Sequence, residues 1–242
     1  MIELMLFLAI SAIMIVTLLT GWTVAINTQS YKDASRSFAS VLQGQYASTL
    51  NVVNDRSAKF DCFVNGGTTQ VKAVTATSTS RGASDCVLIG RYITIDGSQM
   101  RSNAIVGTQP VTAIPSTTTE DQVIAAYMPG RIADGVINDD TYEIPWISTL
   151  YASSASPSAL HIAIAIVRSP VTGTVRTYIK DITASDPTVT DVIAAPAAQA
   201  KRVLCMDPGT VVAQPRTAIV IAANAASSSA ISVNADPTGS GC

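Results

Sequence analysis

Between Leu4 and Ile26 the chain carries 23 residues without a single charge, and the only charge before them is Glu3. At about 1.5 Å per residue this run is long enough to cross roughly 30 Å of hydrocarbon as a helix. A carboxylate at the mouth of such a helix is costly in lipid, on the order of 2.5–3.5 kcal/mol at the membrane centre, unless a partner neutralises it. The apolar region is too long for a signal peptide, and no small-residue cleavage site precedes a polar start. The expectation is a helix that enters lipid or packs on other helices, with Glu3 seeking a partner.

The helical pattern does not stop at Ile26. Tyr31, Ala34, Phe38, Val41, Leu42, Leu50 and Val53 recur in steps of three and four, while Lys32, Asp33, Arg36, Gln43 and Gln45 fall on the other side. One helix from the first residues to about Asp55 is therefore expected, its first half apolar all round and its second half amphipathic. Gly21 and Gly44 each weaken it by about 1 kcal/mol relative to Ala and are its candidate bending points. Thr17, Gly21 and Ala25 form a row of small residues at spacing four, which lets helices approach closely.

Ile2-Glu3-Leu4-Met5, the unbroken apolar helix and the amphipathic continuation together resemble the N-terminus of type IV pilins and type II secretion pseudopilins. The resemblance covers about 55 residues and is only architectural beyond them. In that family a prepilin peptidase removes a short basic leader, the new N-terminus is methylated, and a retained glutamate, usually the fifth mature residue, pairs with the N-terminal amine of a neighbouring subunit. Here the glutamate is the third residue, a departure of two positions. The helix-breaking Pro frequent in the family's membrane half is absent, and Gly21 is the nearest weak point. The resemblance implies a globular part built on an antiparallel sheet, often closed by a disulfide near the C-terminus.

Charge placement bears on orientation. Lys32 and Arg36 follow the apolar run and no Lys or Arg precedes it, which alone would retain residues 30–242 in the cytoplasm. Removal of a basic leader, as the resemblance implies, reverses that bias. The four cysteines, Cys62, Cys86, Cys205 and Cys242, also suit an oxidising exterior, and their spacing matches no zinc site. Three connectivities are open; Cys62–Cys86 with Cys205–Cys242 closes two local loops, each stabilising by about 3–4 kcal/mol, and the second pair fits the family habit.

From residue 56 the period changes from 3.6 to two. Leu160–Ile166 alternates and, with Thr174–Ile179 beyond a Ser-Pro-Val-Thr-Gly turn, reads as a β-hairpin. Thr217–Ala222 with Ala230–Val233 reads as a second, and Cys86–Ile95 before Asp96-Gly97 as a further strand. Thr75–Ser84, Pro115–Glu120 and Ser153–Ser158 read as Ser/Thr-rich loops open to O-linked sugars. Short helices are expected at Thr119–Met128, where Thr119 and Gln122 give a capping-box spacing, and at Asp191–Leu204 despite Pro196. The fold class is α+β: an N-terminal helix over residues 1–55, with 1–26 as membrane span or filament core, packed on a mostly antiparallel β-rich domain over residues 56–242.

Little chemistry is offered. His161 is the only histidine and reads as structural, with no nucleophile motif beside it. Phosphate-binding loops, dinucleotide fingerprints and HExxH are missing from the sequence. Asp134, Asn138, Asp139 and Asp140 could offer oxygens to Ca²⁺, but turns collect such residues for their own backbone, so neither metal nor cofactor is expected. A net charge of −2 with 13% charged residues gives no footprint for nucleic acid. The expectation is a non-enzymatic structural subunit that stays in the cytoplasmic membrane before assembly and then joins copies of itself in a helical surface filament. The prepilin peptidase and the pilus assembly machinery are its implied partners, Glu3 and Gly21 its assembly residues. A minor pilin or pseudopilin, or a monomeric membrane-anchored binding domain, are the alternatives.

Overall fold

The computed structural model describes residues 2–51, 60–73, 86–110, 114–115, 117–133, 140–146, 148–152, 158–183, 186–209, 215–234 and 242. Ile2–Leu50 form one uninterrupted α-helix, α1, about 73 Å long at the α-helical rise. Proline is absent from these residues, so no backbone N–H is missing from the ladder, and the helix runs on through Gly21 and Gly44. Val53 and Asp55 lie outside the described residues.

Two sheets receive its second half, and a separate hairpin docks on the first of them. Strands β3 (Cys86–Asp96) and β4 (Gln99–Thr108) form a long hairpin. Antiparallel to β3 lies β8 (His161–Arg168), and beyond it β9 (Val175–Asp181). Short strands β5 (Gly130–Arg131) and β6 (Asp140–Glu143) both pair with the outer side of β4, completing six strands. The second sheet runs in the order β12 (Ile231–Asn234), β11 (Thr217–Ile221), β10 (Arg202–Asp207), β7 (Thr149–Tyr151). Strands β1 (Phe60–Asn65) and β2 (Thr68–Ala73) make a separate hairpin. All strand pairs are antiparallel, so the architecture is α+β.

The main core lies where α1 meets both sheets. Tyr31, Phe38, Leu42 and Tyr46 of the helix share one buried cluster with Ile93, Ile162, Ile164 and Ile166 of the first sheet and Leu204, Met206, Ile219 and Ile221 of the second. Its binding is also polar. The Tyr31 hydroxyl donates to the Met206 carbonyl and accepts from the Thr217 N–H, both at 2.8 Å, and so bridges β10 and β11. Tyr46 and Thr177 hydroxyls pair at 2.8 Å, and Gln43 Nε2 donates to the Ile231 carbonyl at 3.1 Å.

Two helix positions differ from the sequence reading. Gln45, expected on the polar side, is 7% exposed because its Oε1 accepts a 2.6 Å bond from the buried Ser102 hydroxyl; a satisfied amide can be buried at little net cost. Leu50, expected in the apolar stripe, is exposed, and its carbonyl accepts from Arg168 Nη1 instead.

Strand β8 is buried on both faces. Its alternation separates large from small rather than core from water: Ile162, Ile164 and Ile166 face α1, whereas Ala163 and Ala165 lie under α2 (Glu120–Ala126) and α3 (Val189–Ile193), beside Tyr92 and Tyr178. Two glycines permit close approaches here. A Cβ on Gly90 would stand 2.1 Å from the Ile166 carbonyl oxygen at the register shift of β3, and one on Gly130 would stand 1.8 Å from the Thr69 carbonyl oxygen, where the β1–β2 hairpin docks.

The Thr119–Gln122 capping box starts α2 where the spacing placed it. The second short helix differs: instead of Asp191–Leu204 it covers only Val189–Ile193, capped by Thr188 and Asp191. Pro196 cannot continue the ladder, and residues from Arg202 onward serve as β10, whose Leu204, Cys205 and Met206 are fully buried. Disulfides join Cys62 to Cys86, fastening β1 to β3, and Cys205 to Cys242, fastening the last residue to β10. Residues 74–85, which include the whole loop at Thr75–Ser84, and residues 153–157 lie outside the described residues.

Replacing Tyr31 by Phe removes one hydroxyl and leaves a buried carbonyl and a buried N–H without their bridge. A loss of about 1–3 kcal/mol is expected from urea unfolding followed by circular dichroism. An unchanged midpoint would mean that water takes the hydroxyl's place.

Burial pushes the phenol of Tyr92 up to about 12, and burial together with the hydrogen bond it donates to Asp121 raises that of Tyr178. Both folded values lie above the unfolded one, so this stabilisation is complete below pH 10 and is lost as pH rises through the folded values. The urea midpoint is expected to fall steadily from pH 10 to 12, with phenolate absorbance developing in step with unfolding. Phenolate absorbance equal to seven free tyrosines in the still-folded protein would contradict this.

Candidate assembly surface

The first half of α1 packs on no other element among the described residues. Its large apolar side chains, fifteen from Leu4 to Ile26, are all exposed, including Phe7 at 70% and Trp22 at 70%. Among the described residues this is the one helix long and apolar enough to cross a membrane. At roughly 1.5–3 kcal/mol per large side chain left in water, the cost of hydrating this surface is on the order of 20–40 kcal/mol. That exceeds the whole stability of an ordinary domain. Lipid or another apolar surface must cover it.

The three threonine hydroxyls within the span are already satisfied. Thr17 donates to the Met14 carbonyl at 2.9 Å, Thr20 to those of Val16 and Thr17 at 3.0 Å, and Thr23 to that of Leu19 at 2.9 Å. A threonine bonded back to its own helix carries no unmet donor into an apolar environment. The sequence reading counted Thr17 only as a small residue and did not single out Thr20 or Thr23; the signal available was that a helical threonine can donate to the second lone pair of the carbonyl three or four residues before it. Water-facing charges begin at Lys32, Asp33 and Arg36, all exposed.

Glu3 stands in the first turn of α1, exposed, 28 residues before Tyr31, which is about 42 Å along the helix. Within one chain no described residue meets it. Gly21 lies on the same bare surface, with nothing within 4 Å of where its Cβ would be. The structure thus places both proposed assembly residues on the uncovered half and the four cysteines in the globular part.

The projecting half is rigidly continuous with the clamped half. Besides Tyr31, Gln43, Gln45 and Tyr46, the Tyr142 hydroxyl bonds Ser37 at 3.0 Å and Arg168 reaches the helix end at Leu50. Bonds from both sheets therefore fix the direction in which Leu4–Ile26 leaves the domain.

The remaining candidates are dispersed. His161 is half exposed at the start of β8, with Nδ1 2.9 Å from Asp96 Oδ1. Asp134, Asn138 and Asp139 lie outside the described residues; Asp140 stands 4.0 Å from Arg91. Among the described residues no group of three or more His, Cys, Asp or Glu could hold a metal. Glu120 accepts from the hydroxyls of Thr172 and Thr174, and hydrogen bonds from Ser169 and Thr172 hold its carboxyl below the usual range, tying α2 to the β8–β9 turn.

Comparison with protein-family models, with curated proteins and with solved structures finds no match to this chain.

Removing residues 1–26 takes away the whole bare apolar surface and none of the buried cluster. The shortened protein is expected to be soluble, monomeric by size-exclusion chromatography and folded by circular dichroism, whereas the intact chain requires lipid, detergent or self-association. Aggregation of the shortened form would show that α1 contributes more to the domain than its Tyr31–Thr49 contacts.

Proposed function

We propose that the chain is the structural subunit of a type IV pilus-like helical surface filament serving adhesion, motility or uptake. In this reading the Leu4–Ile26 helices bundle in the filament core and the β-rich domains face outward. The observation that carries it is a bare apolar half-helix rigidly continuous with an amphipathic half held between two sheets. A tether needs no such continuity, whereas a filament built on helices needs each domain held at a defined angle to its core helix. The resemblance of Ile2-Glu3-Leu4-Met5 and the following helix to pilins supports the same reading.

The membrane and the filament solve one problem in sequence. Before assembly lipid covers the apolar helix; afterwards neighbouring helices do, so the surface is never returned to water. Glu3 pairs with the N-terminal amine of an adjacent copy in this scheme. A buried pair contributes little net stability but sets axial register, because losing one partner strands the other charge at a cost of about 3–5 kcal/mol. Minor pilins and secretion pseudopilins share this geometry and differ in filament length and position. The monomeric membrane-anchored domain differs in having no ordered lipid-free state.

Glu3→Ala is expected to leave membrane insertion and domain folding intact while lowering the yield of sheared surface filaments by more than roughly tenfold, measured by electron microscopy and quantitative blotting. Normal filament yield would remove the register role. Detergent-bound monomers alone, with no ordered polymer at the cell surface in the unmodified protein, would favour the anchored domain.

A further inference from the structure

The outer face of the central sheet changes character along its length. Around Tyr92, Ala163, Ala165 and Tyr178 it is covered by α2 and α3. Toward the other end of β3, β4 and β8 it opens into a hollow of about 290 Å³ lined by polar side chains, among them Thr94, Gln99, Arg101, Asn103, Arg131 and His161. Strand register explains the gathering: Arg101 stands opposite Thr94, Gln99 opposite Asp96, and Asp96 opposite His161, so the side chains of three strands meet on one face.

We infer that this hollow is a binding site for a neutral, hydroxyl-rich ligand the size of one sugar unit. Three observations carry the inference. The first is unmet hydrogen-bonding capacity: the Thr94 hydroxyl and Gln99 amide have no hydrogen-bond partner among the described residues. The Asp96 carboxylate takes the Nδ1 side of His161 at 2.9 Å, which leaves Nε2 as an acceptor in the neutral ring. The second is rigidity. Arg131 is held over the Tyr92 ring at 5.4 Å and bonded to Asp186 at 3.1 Å, with further N–H donors remaining on its fork, and Asn103 is 1% exposed in the central sheet. The third is charge balance. Arg101 and Arg131 are offset by Asp96 and Asp186, so the hollow presents no net field to attract an anion or a cation. Sugar hydroxyls both donate and accept, and can meet an acceptor nitrogen, guanidinium donors, a hydroxyl and an amide together. The volume is at the small end for ligand pockets, roughly 300–1,000 Å³, which suits a single ring. The site stands on the globular part and is independent of the filament reading.

The test uses the full chain in a detergent without a sugar headgroup, observed by saturation-transfer NMR with glucose, galactose, mannose and N-acetylglucosamine, and with acetate as an anionic control. Transfer to at least one sugar and none to acetate is expected. Thr94→Val and His161→Gln should each weaken the binding by roughly tenfold or more, with circular dichroism unchanged. Absence of transfer to all four sugars would overturn the site, as would transfer that persists undiminished in both variants. Acetate binding displaced by none of the sugars would overturn the neutral-ligand assignment.

Discussion

Everything in this molecule depends on the second half of one helix being wedged between two sheets. Neither sheet closes a core alone: the six-stranded sheet needs Phe38, Leu42 and Tyr46 over its isoleucines, and the four-stranded sheet needs the same helix over Leu204, Met206 and Ile219. The Tyr31 hydroxyl makes the attachment specific as well as apolar, because it occupies a bridge between β10 and β11 that no aliphatic side chain could fill. Apolar packing alone tolerates sliding by a helical turn. A set of directional bonds from Tyr31, Gln43, Gln45 and Tyr46 does not.

That register has consequences 40 Å away. Since α1 is unbroken, fixing its second half also fixes the direction of the first. A flexible linker at residues 27–30 would have allowed the apolar helix to sit in any membrane while the domain drifted; instead the two halves move as one body. The threonines at 17, 20 and 23 fit the same demand, being polar in sequence but closed onto their own backbone in the fold.

The outer features are tied to this centre by covalent and polar links. Cys62–Cys86 binds the β1–β2 hairpin to the central sheet, and Cys205–Cys242 returns the end of the chain to β10. Helix α2 is held by its own capping box and by the hydroxyls that Glu120 gathers from the β8–β9 turn. Short helices of this length have little stability by themselves, so their position is set by Ile124, Val189 and Val192 packing over the alanines of β8.

The sequence by itself determined what depends on local periodicity and local chemistry. The charge-free run, the stripe beginning at Tyr31, the β8–β9 and β11–β12 hairpins and the Thr119 cap were all legible, because spacing along a helix or strand dictates which side chains share a face. Strand β4 was not legible: Gln99–Thr108 is half polar, and it becomes a strand by pairing with β3 on one side and β5 and β6 on the other. Nor was β10, whose first residues, Arg202–Leu204, were read as the end of a helix until the second sheet claimed them. Gln45 and Leu50 exchanged sides for the same kind of reason, since Ser102 and Arg168 arrive from residues 50 to 120 positions away. The polar hollow could not be read either, because Arg101, Thr94 and His161 become neighbours only through cross-strand register. Periodicity tells a side chain which way to face, but only the partner strand decides what it will meet there.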